Sequence, residues 1–147
     1  MSQNREQLME ELSTNVFAMF RTLRNDIGKI FGGYIPWNEF IVLRILNRTN
    51  KEMVSRVANE LNVSNSHITA VTEKLINKGF VTRSRSTSDR RVVYLEITEQ
   101  GKDLVAKMED AKKQYLQERF SALSEDEMNV MISISKKLLS IASEFFT

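Results

Sequence analysis

No cysteine occurs among the 147 residues, so neither a disulfide framework nor a thiol redox switch is open to this chain. A single histidine, His67, leaves too few ligands for a zinc site, and no metal is expected. The five glycines, Gly28, Gly32, Gly33, Gly79 and Gly101, form neither a dinucleotide-binding nor a phosphate-loop pattern. No nucleophile elbow is present and one histidine offers no triad, so neither enzyme activity nor a cofactor is expected. The single proline, Pro36, argues against a flexible linker between domains. No apolar run approaches membrane-spanning length, and Met1 to Gln7 lack the apolar region of a signal peptide. A cytoplasmic protein with no membrane partner is the expectation.

What remains is an ordinary globular composition, 41% hydrophobic and 27% charged, in a length suited to one domain with a core. Leu8, Leu12, Val16, Met19, Leu23, Ile27 and Ile30 step by three or four residues, the stripe of an amphipathic helix of about 24 residues. Gly32 and Gly33 stop it, and Pro36 opens a second helix carrying Trp37, Phe40, Ile41, Leu43, Ile45 and Leu46. Ser55 is expected to cap a short third helix through Leu61, and Ser64 a fourth that ends at Lys78-Gly79. Phe80 to Arg85 and Val92 to Ile97 read as two strands joined by a polar loop. Thr98 then caps a helix through about Phe120, and Ser124 to Glu127 form a capping box that opens a last helix to about Phe145.

Charge is unevenly spread. The net value is only +2, yet from Lys74 to Arg91 two Lys and four Arg face one acid, Asp89, while nine acids outnumber seven bases after Ile97. A basic segment of this kind is the electrostatic footprint of a polyanion site. It follows a helix whose wheel sets Ile68, Val71 and Leu75 on a buried stripe and Asn65, Ser66, Thr69, Ala70, Glu73 and Asn77 toward the other side. The third and fourth helices, with a tight turn at Asn62-Val63, make a helix-turn-helix, whose second helix reads base edges in the major groove. Asn65, Ser66 and Thr69 have the donors and acceptors for that work, and Ala70 suits a thymine methyl. A polar outer face alone is weak evidence. The hairpin adds specificity, because its tip runs Asp89-Arg90-Arg91 where hairpins favour Asn-Gly or Asp-Gly turns, and arginine suits the negative potential of a narrow minor groove. Asp89 is expected to hold Arg91 or cap the turn, since an acid facing phosphate is repelled. His67, in the first turn of the fourth helix, suits a phosphate or base contact and a partly buried structural role equally.

Asp89-x-Arg91 followed by Ile97-Thr98-x-x-Gly101 resembles the wing signature of the MarR family of winged-helix regulators. Lys78-Gly79-Phe80-Val81-x-Arg83, Val54-Ser55-x-Val57-Ala58-x-x-Leu61 and the turn at Val63-Ser64 are similar to that family's approach to the wing and its helix-turn-helix. Ile97 stands where leucine is more usual. The resemblance implies a mainly α protein with a small β-hairpin wing, in which about 36–98 form the DNA-binding lobe and about 5–35 and 99–147 the dimerisation helices. It implies a homodimer on a palindromic double-stranded operator, more often as a repressor. Ser64, Asn65, Ser66, His67, Thr69 and Ala70 then map to the recognition helix. Arg83, Arg85, Asp89, Arg90 and Arg91 map to the wing, with Arg90 or Arg91 as its groove contact. Small aromatic or phenolic effectors in this family sit between the dimerisation helices and the lobe, which points to Arg21, Arg24, Tyr34, Trp37 and Phe40. The bland alternative is that these aromatics are core. Absence of cysteine excludes the thiol-based peroxide sensing of some relatives.

A dimer is also expected from the residues themselves, the alternative being that the three long helices pack within one chain. In the last helix Met131, Ile132, Ile134, Leu138, Leu139, Ile141, Ala142, Phe145 and Phe146 span too wide an arc to bury on one side. The alternative function is a winged helix kept for protein interaction, which leaves the charge of the wing without a purpose.

Overall fold

The computed structural model describes residues 2–141. It contains six helices and three strands among these residues. The chain divides into two compact units, Met1–Lys112 and Lys113–Thr147.

In the first unit, α1 (Gln3–Gly32) is capped by Ser2, whose side chain accepts the Arg5 N–H, and is longer at its N-terminus than the apolar stripe alone predicts. Only Phe31 of this helix is buried; Leu8, Leu12, Phe17 and Phe20 stand exposed. The Phe31 ring meets Phe40 at 4.5 Å and Trp37 at 6.1 Å between centroids, joining α1 to α2 (Trp37–Thr49) across the Gly33–Pro36 turn. From α2, Phe40, Leu43 and Leu46 enter the core, where Val57, Ile68, Leu75, Leu95 and Met108 meet them from the other elements.

After α2 the backbone turns at Asn50, with φ of 66°, into β1 (Lys51–Met53), a strand the sequence did not announce. The sheet order is β1-β3-β2, with β2 (Val81–Arg85) and β3 (Val93–Ile97) as the expected hairpin and β1 antiparallel on the other edge of β3. That extra strand also corrects the start of α3 (Val54–Leu61). Its N-cap is Met53 with no side-chain cap, rather than Ser55, because pairing with Tyr94 keeps Met53 extended and the helix begins immediately after it. Glu52 accepts the Met53 N–H instead, and Ser55 is left as an exposed residue of the first turn. Asn62, left-handed at φ 55°, turns the chain from α3 toward α4 (Asn65–Asn77).

The helix α5 (Glu99–Phe120) begins in the first unit and continues into the second. In the second unit, α6 (Glu125–Leu139) opens on a complete capping box between Ser124 and Glu127. The Glu127 carboxyl titrates below its ordinary value because it accepts the Ser124 backbone N–H and then because of its bond with the Ser124 side chain. The helix ends at Leu139, short of the expected end near Phe145, and Ala142, Phe145 and Phe146 lie outside the described residues. Along α6 no side chain is buried; Val130, Ile134 and Leu138 are among its exposed apolar residues. No helix among the described residues is long and apolar enough to cross a membrane.

Candidate nucleic-acid interface

The site lies wholly in the first unit and is built on α4. Ser64 fixes where this helix starts: its hydroxyl accepts the His67 N–H at 3.1 Å. Ile68, Val71, Thr72 and Leu75 then turn inward, and Asn65, Ser66, His67, Thr69 and Ala70 are all exposed on the opposite side. The division expected from the helical wheel is therefore observed, and His67 stands in solvent rather than at the edge of the core. Thr69 donates its hydroxyl to the Asn65 carbonyl at 3.0 Å, which leaves its oxygen lone pairs to accept from outside. Thr72, which the wheel left unassigned, is fully buried and donates to the Ile68 carbonyl at 2.8 Å.

The tip between β2 and β3 is a network rather than a loose loop. The Ser86 hydroxyl accepts the N–H groups of Ser88 and Asp89, both at 3.3 Å. Asp89 Oδ1 accepts the Arg91 backbone N–H at 3.0 Å and its Nε–H at 3.2 Å, so it both caps the turn and holds the arginine. Arg85 donates from its guanidinium to the Arg90 carbonyl at 3.0 Å, tying the strand to the tip. Arg83 pairs with Glu73 of α4 at 3.0 Å, a strut between the hairpin and the helix. The Arg90 guanidinium has no hydrogen bond or ion pair among the described residues. Arg91 remains 92% exposed in its side chain despite its bond to Asp89.

Between α3, α4 and the hairpin opens a cleft of about 330 Å³, lined among others by Ser55, Asn65, Thr69, Arg83, Arg85 and Arg91. Three guanidinium groups and the first turn of α3 make this concavity electropositive, suited to an anion. A helix with a polar outer face, a rigid basic hairpin beside it and a positive cleft between them form one surface of mixed hydrogen-bonding and cationic character. Such a surface suits base edges and phosphates together.

A family model described as the MarR family matches residues 35–93. The uncharacterized HTH-type transcriptional regulator YpoP of Bacillus subtilis is 37% identical over 134 residues, covering 91% of this chain and 95% of that protein. The chain belongs to the MarR family. The HTH-type transcriptional regulator PapX of Escherichia coli is 30% identical over 143 residues, 95% of this chain and 85% of its own. Among solved structures the YusO protein of Bacillus subtilis superposes with a TM-score of 0.87 at 25% identity, covering 97% of this chain and 100% of that one. Like these relatives, the chain as a MarR-family protein is a transcriptional regulator and not an enzyme.

The other residue set expected of a MarR-family protein falls around the α1–α2 junction. Tyr34 and Trp37 are exposed there and Arg21 and Arg24 are exposed further back along α1, whereas Phe40 is fully enclosed in the core, tilted against Phe31 and Trp37. Two features of this surface were not read from the sequence: the place of Ser55 and the pairing of Glu73. Ser55 lines the cleft, for which a serine one residue past an unannounced strand gives little warning. Glu73 occupies Arg83, a pairing across ten positions that no local pattern reveals.

Proposed function

We propose that this chain binds double-stranded DNA sequence-specifically as a homodimer and represses transcription from a palindromic operator. The observation that carries the proposal is the sorting of the wing cations: Arg83, Arg85 and Arg91 are each held by a partner, and Arg90 projects free from the tip they brace. Bracing of this kind supports a wing pre-organised for groove contact, with less side-chain entropy to lose on binding. In this account the first turns of α4, from Ser64 to Ala70, read base edges in the major groove. Arg90 enters the adjacent minor groove, Arg91 and Arg85 flank the phosphates, and Asp89 holds the tip.

The exposed apolar faces support the homodimer. In the first unit Leu8, Leu12, Phe17 and Phe20 are uncovered along α1, and in the second Val130, Ile134 and Leu138 are uncovered along α6; a second copy would bury both faces. Residues 1–147 then act as one MarR-type domain, with about 36–98 as the DNA-binding lobe and the flanking helices as the dimer interface. Two-fold symmetry sets the recognition helices about 34–36 Å apart, one helical turn of duplex. A dimer seated across two successive grooves blocks any promoter it overlaps, which supports repression. A small aromatic acid at Arg21, Arg24, Tyr34 and Trp37 would release it by biasing the separation of the lobes.

Selection from a pool of randomised duplexes tests the proposal. The expected product is an inverted repeat with half-sites about one helical turn apart. Enrichment of no sequence, or of a single half-site only, would contradict it.

A further inference from the structure

The end of α4 away from its exposed polar turns is pinned by a buried charge. Glu39, in the first turn of α2, is 1% exposed and is the one charged side chain so enclosed among the described residues. Its Oε1 accepts from Lys78 Nζ at 2.7 Å, across 39 positions of sequence. Lys78 is the C-cap of α4. Removing a buried charge from its partner is strongly unfavourable, so this pair fixes the distance between the start of α2 and the end of α4. The same corner is held from a third element. The Thr98 hydroxyl donates to the Gly79 carbonyl at 2.7 Å and accepts the Gly101 N–H at 3.1 Å, with Gly79 turned to a φ of 83° between them. On α2, Trp37 stacks on Phe31 of α1 and Phe40 meets the same ring at a tilt, so the turn that carries the carboxylate is joined to the long N-terminal helix.

We infer that Glu39 is a positioning residue for DNA reading: through Lys78 it sets the tilt of α4 and transmits displacement of the α1–α2 junction to it. This inference rests on α4 being the recognition helix. Thirteen residues of helix give a lever of about 20 Å from Lys78 to Asn65. A tilt of about 3° at the pinned end therefore moves Asn65 by about 1 Å, enough to take a base-edge hydrogen bond from 2.9 Å beyond its useful range. Lys78, half-exposed with 42% of its side chain open, accordingly spends its charge on the enclosed Glu39, although it lies in the basic segment that suggests phosphate contact.

The test compares the full-length chain with Glu39→Gln, Lys78→Met and Lys78→Arg on a selected duplex and a scrambled one, across a salt series, with urea unfolding alongside. Glu39→Gln and Lys78→Met are each expected to weaken the selected duplex by about ten-fold, the equivalent of one misaligned base contact. Scrambled-duplex binding and the salt slope stay unchanged, and Lys78→Arg keeps discrimination. Should either neutral variant fail to fold, Glu39→Asp, which shortens the tie and retains its charge, is expected to lower discrimination in the same way. Equal loss on both duplexes with a shallower salt slope for Lys78→Met would make Lys78 a phosphate ligand and overturn the inference. A lowered urea midpoint with discrimination intact would make the pair merely structural and overturn it too. A wild-type chain that binds all duplexes alike sinks the recognition reading itself and the tie with it, whereas a discriminating wild type with unaltered variants sinks the tie alone.

Discussion

Replacing Asp89 by alanine sets two effects of opposite sign against each other. The substitution removes a negative charge from the tip proposed to approach DNA phosphates, and it removes the acceptor of the Arg91 backbone N–H and Nε–H. At about 8 Å in water, deleting one unit of repulsion is worth ~0.5 kcal/mol before salt screening. The backbone bond is worth about 1 kcal/mol to the ordered turn. The ion pair adds only about 0.2–1 kcal/mol, discounted because Arg91 is 92% exposed in its side chain. The structural loss exceeds the electrostatic gain by about 1 kcal/mol, so Asp89→Ala is expected to weaken selective duplex binding roughly five-fold. Asp89→Asn, which keeps an acceptor for the backbone N–H, should fall between the two. Fluorescence anisotropy with a labelled duplex at fixed ionic strength measures the difference, and the salt slope should be unchanged because no phosphate contact is lost. Tighter binding by Asp89→Ala than by the wild type would refute the reasoning, since it would show that charge and not pre-organisation dominates at the tip.

Glycine substitutions separate two corners of the first unit. An alanine Cβ at Gly101 would strike the Phe80 carbonyl oxygen and lie 2.7 Å from Ile97 Cγ1, so Gly101→Ala should cost about 1–2 kcal/mol by urea unfolding even after the gain in helix propensity. Gly28→Ala meets nothing within 4 Å and should stabilise by about 0.5–1 kcal/mol; a shared sign for the two would contradict the packing described here. Leu12, 63% exposed on α1, should tolerate Leu12→Glu within one protomer but cost the dimer about 1.5–3 kcal/mol per copy, read as a shift to monomer by sedimentation. Glu127 has a lowered carboxyl pKa, so its contribution to α6 is complete above the ordinary glutamate range and drains away as the pH falls through the lowered value. Amide protection in the first turn of α6, corrected for the intrinsic exchange rate at each pH, should accordingly fall on acidification, and Glu127→Ala should abolish that dependence.

The helix α4 was legible because three local signals coincide on it: the Ser64 cap, the Ile68-Val71-Leu75 stripe and the Gly79 stop. The wing was legible for the same reason, with β-branched strands bracketing an unusually basic turn. β1 was not, since Lys51-Glu52-Met53 is too short to show alternation and owes its conformation to pairing with β3. That pairing also decides the start of α3, where a serine offers a cap that the extended Met53 makes unnecessary. Ties between Glu39 and Lys78 and between Glu73 and Arg83 join elements distant along the chain, and only the packing of α2, α4 and the hairpin brings their charges together. Sequence revealed which side chains carry charge; it took the fold to separate the wing arginines that brace the hairpin from Arg90, whose guanidinium has no partner among the described residues.

The most direct test of the account is an anisotropy titration of the full chain against the duplex upstream of its own gene, with a scrambled duplex as control, across a salt series. The account predicts selective binding at physiological salt that falls steeply as salt rises and loses its selectivity in Asn65→Ala. Absence of binding to either duplex even at low salt would contradict it.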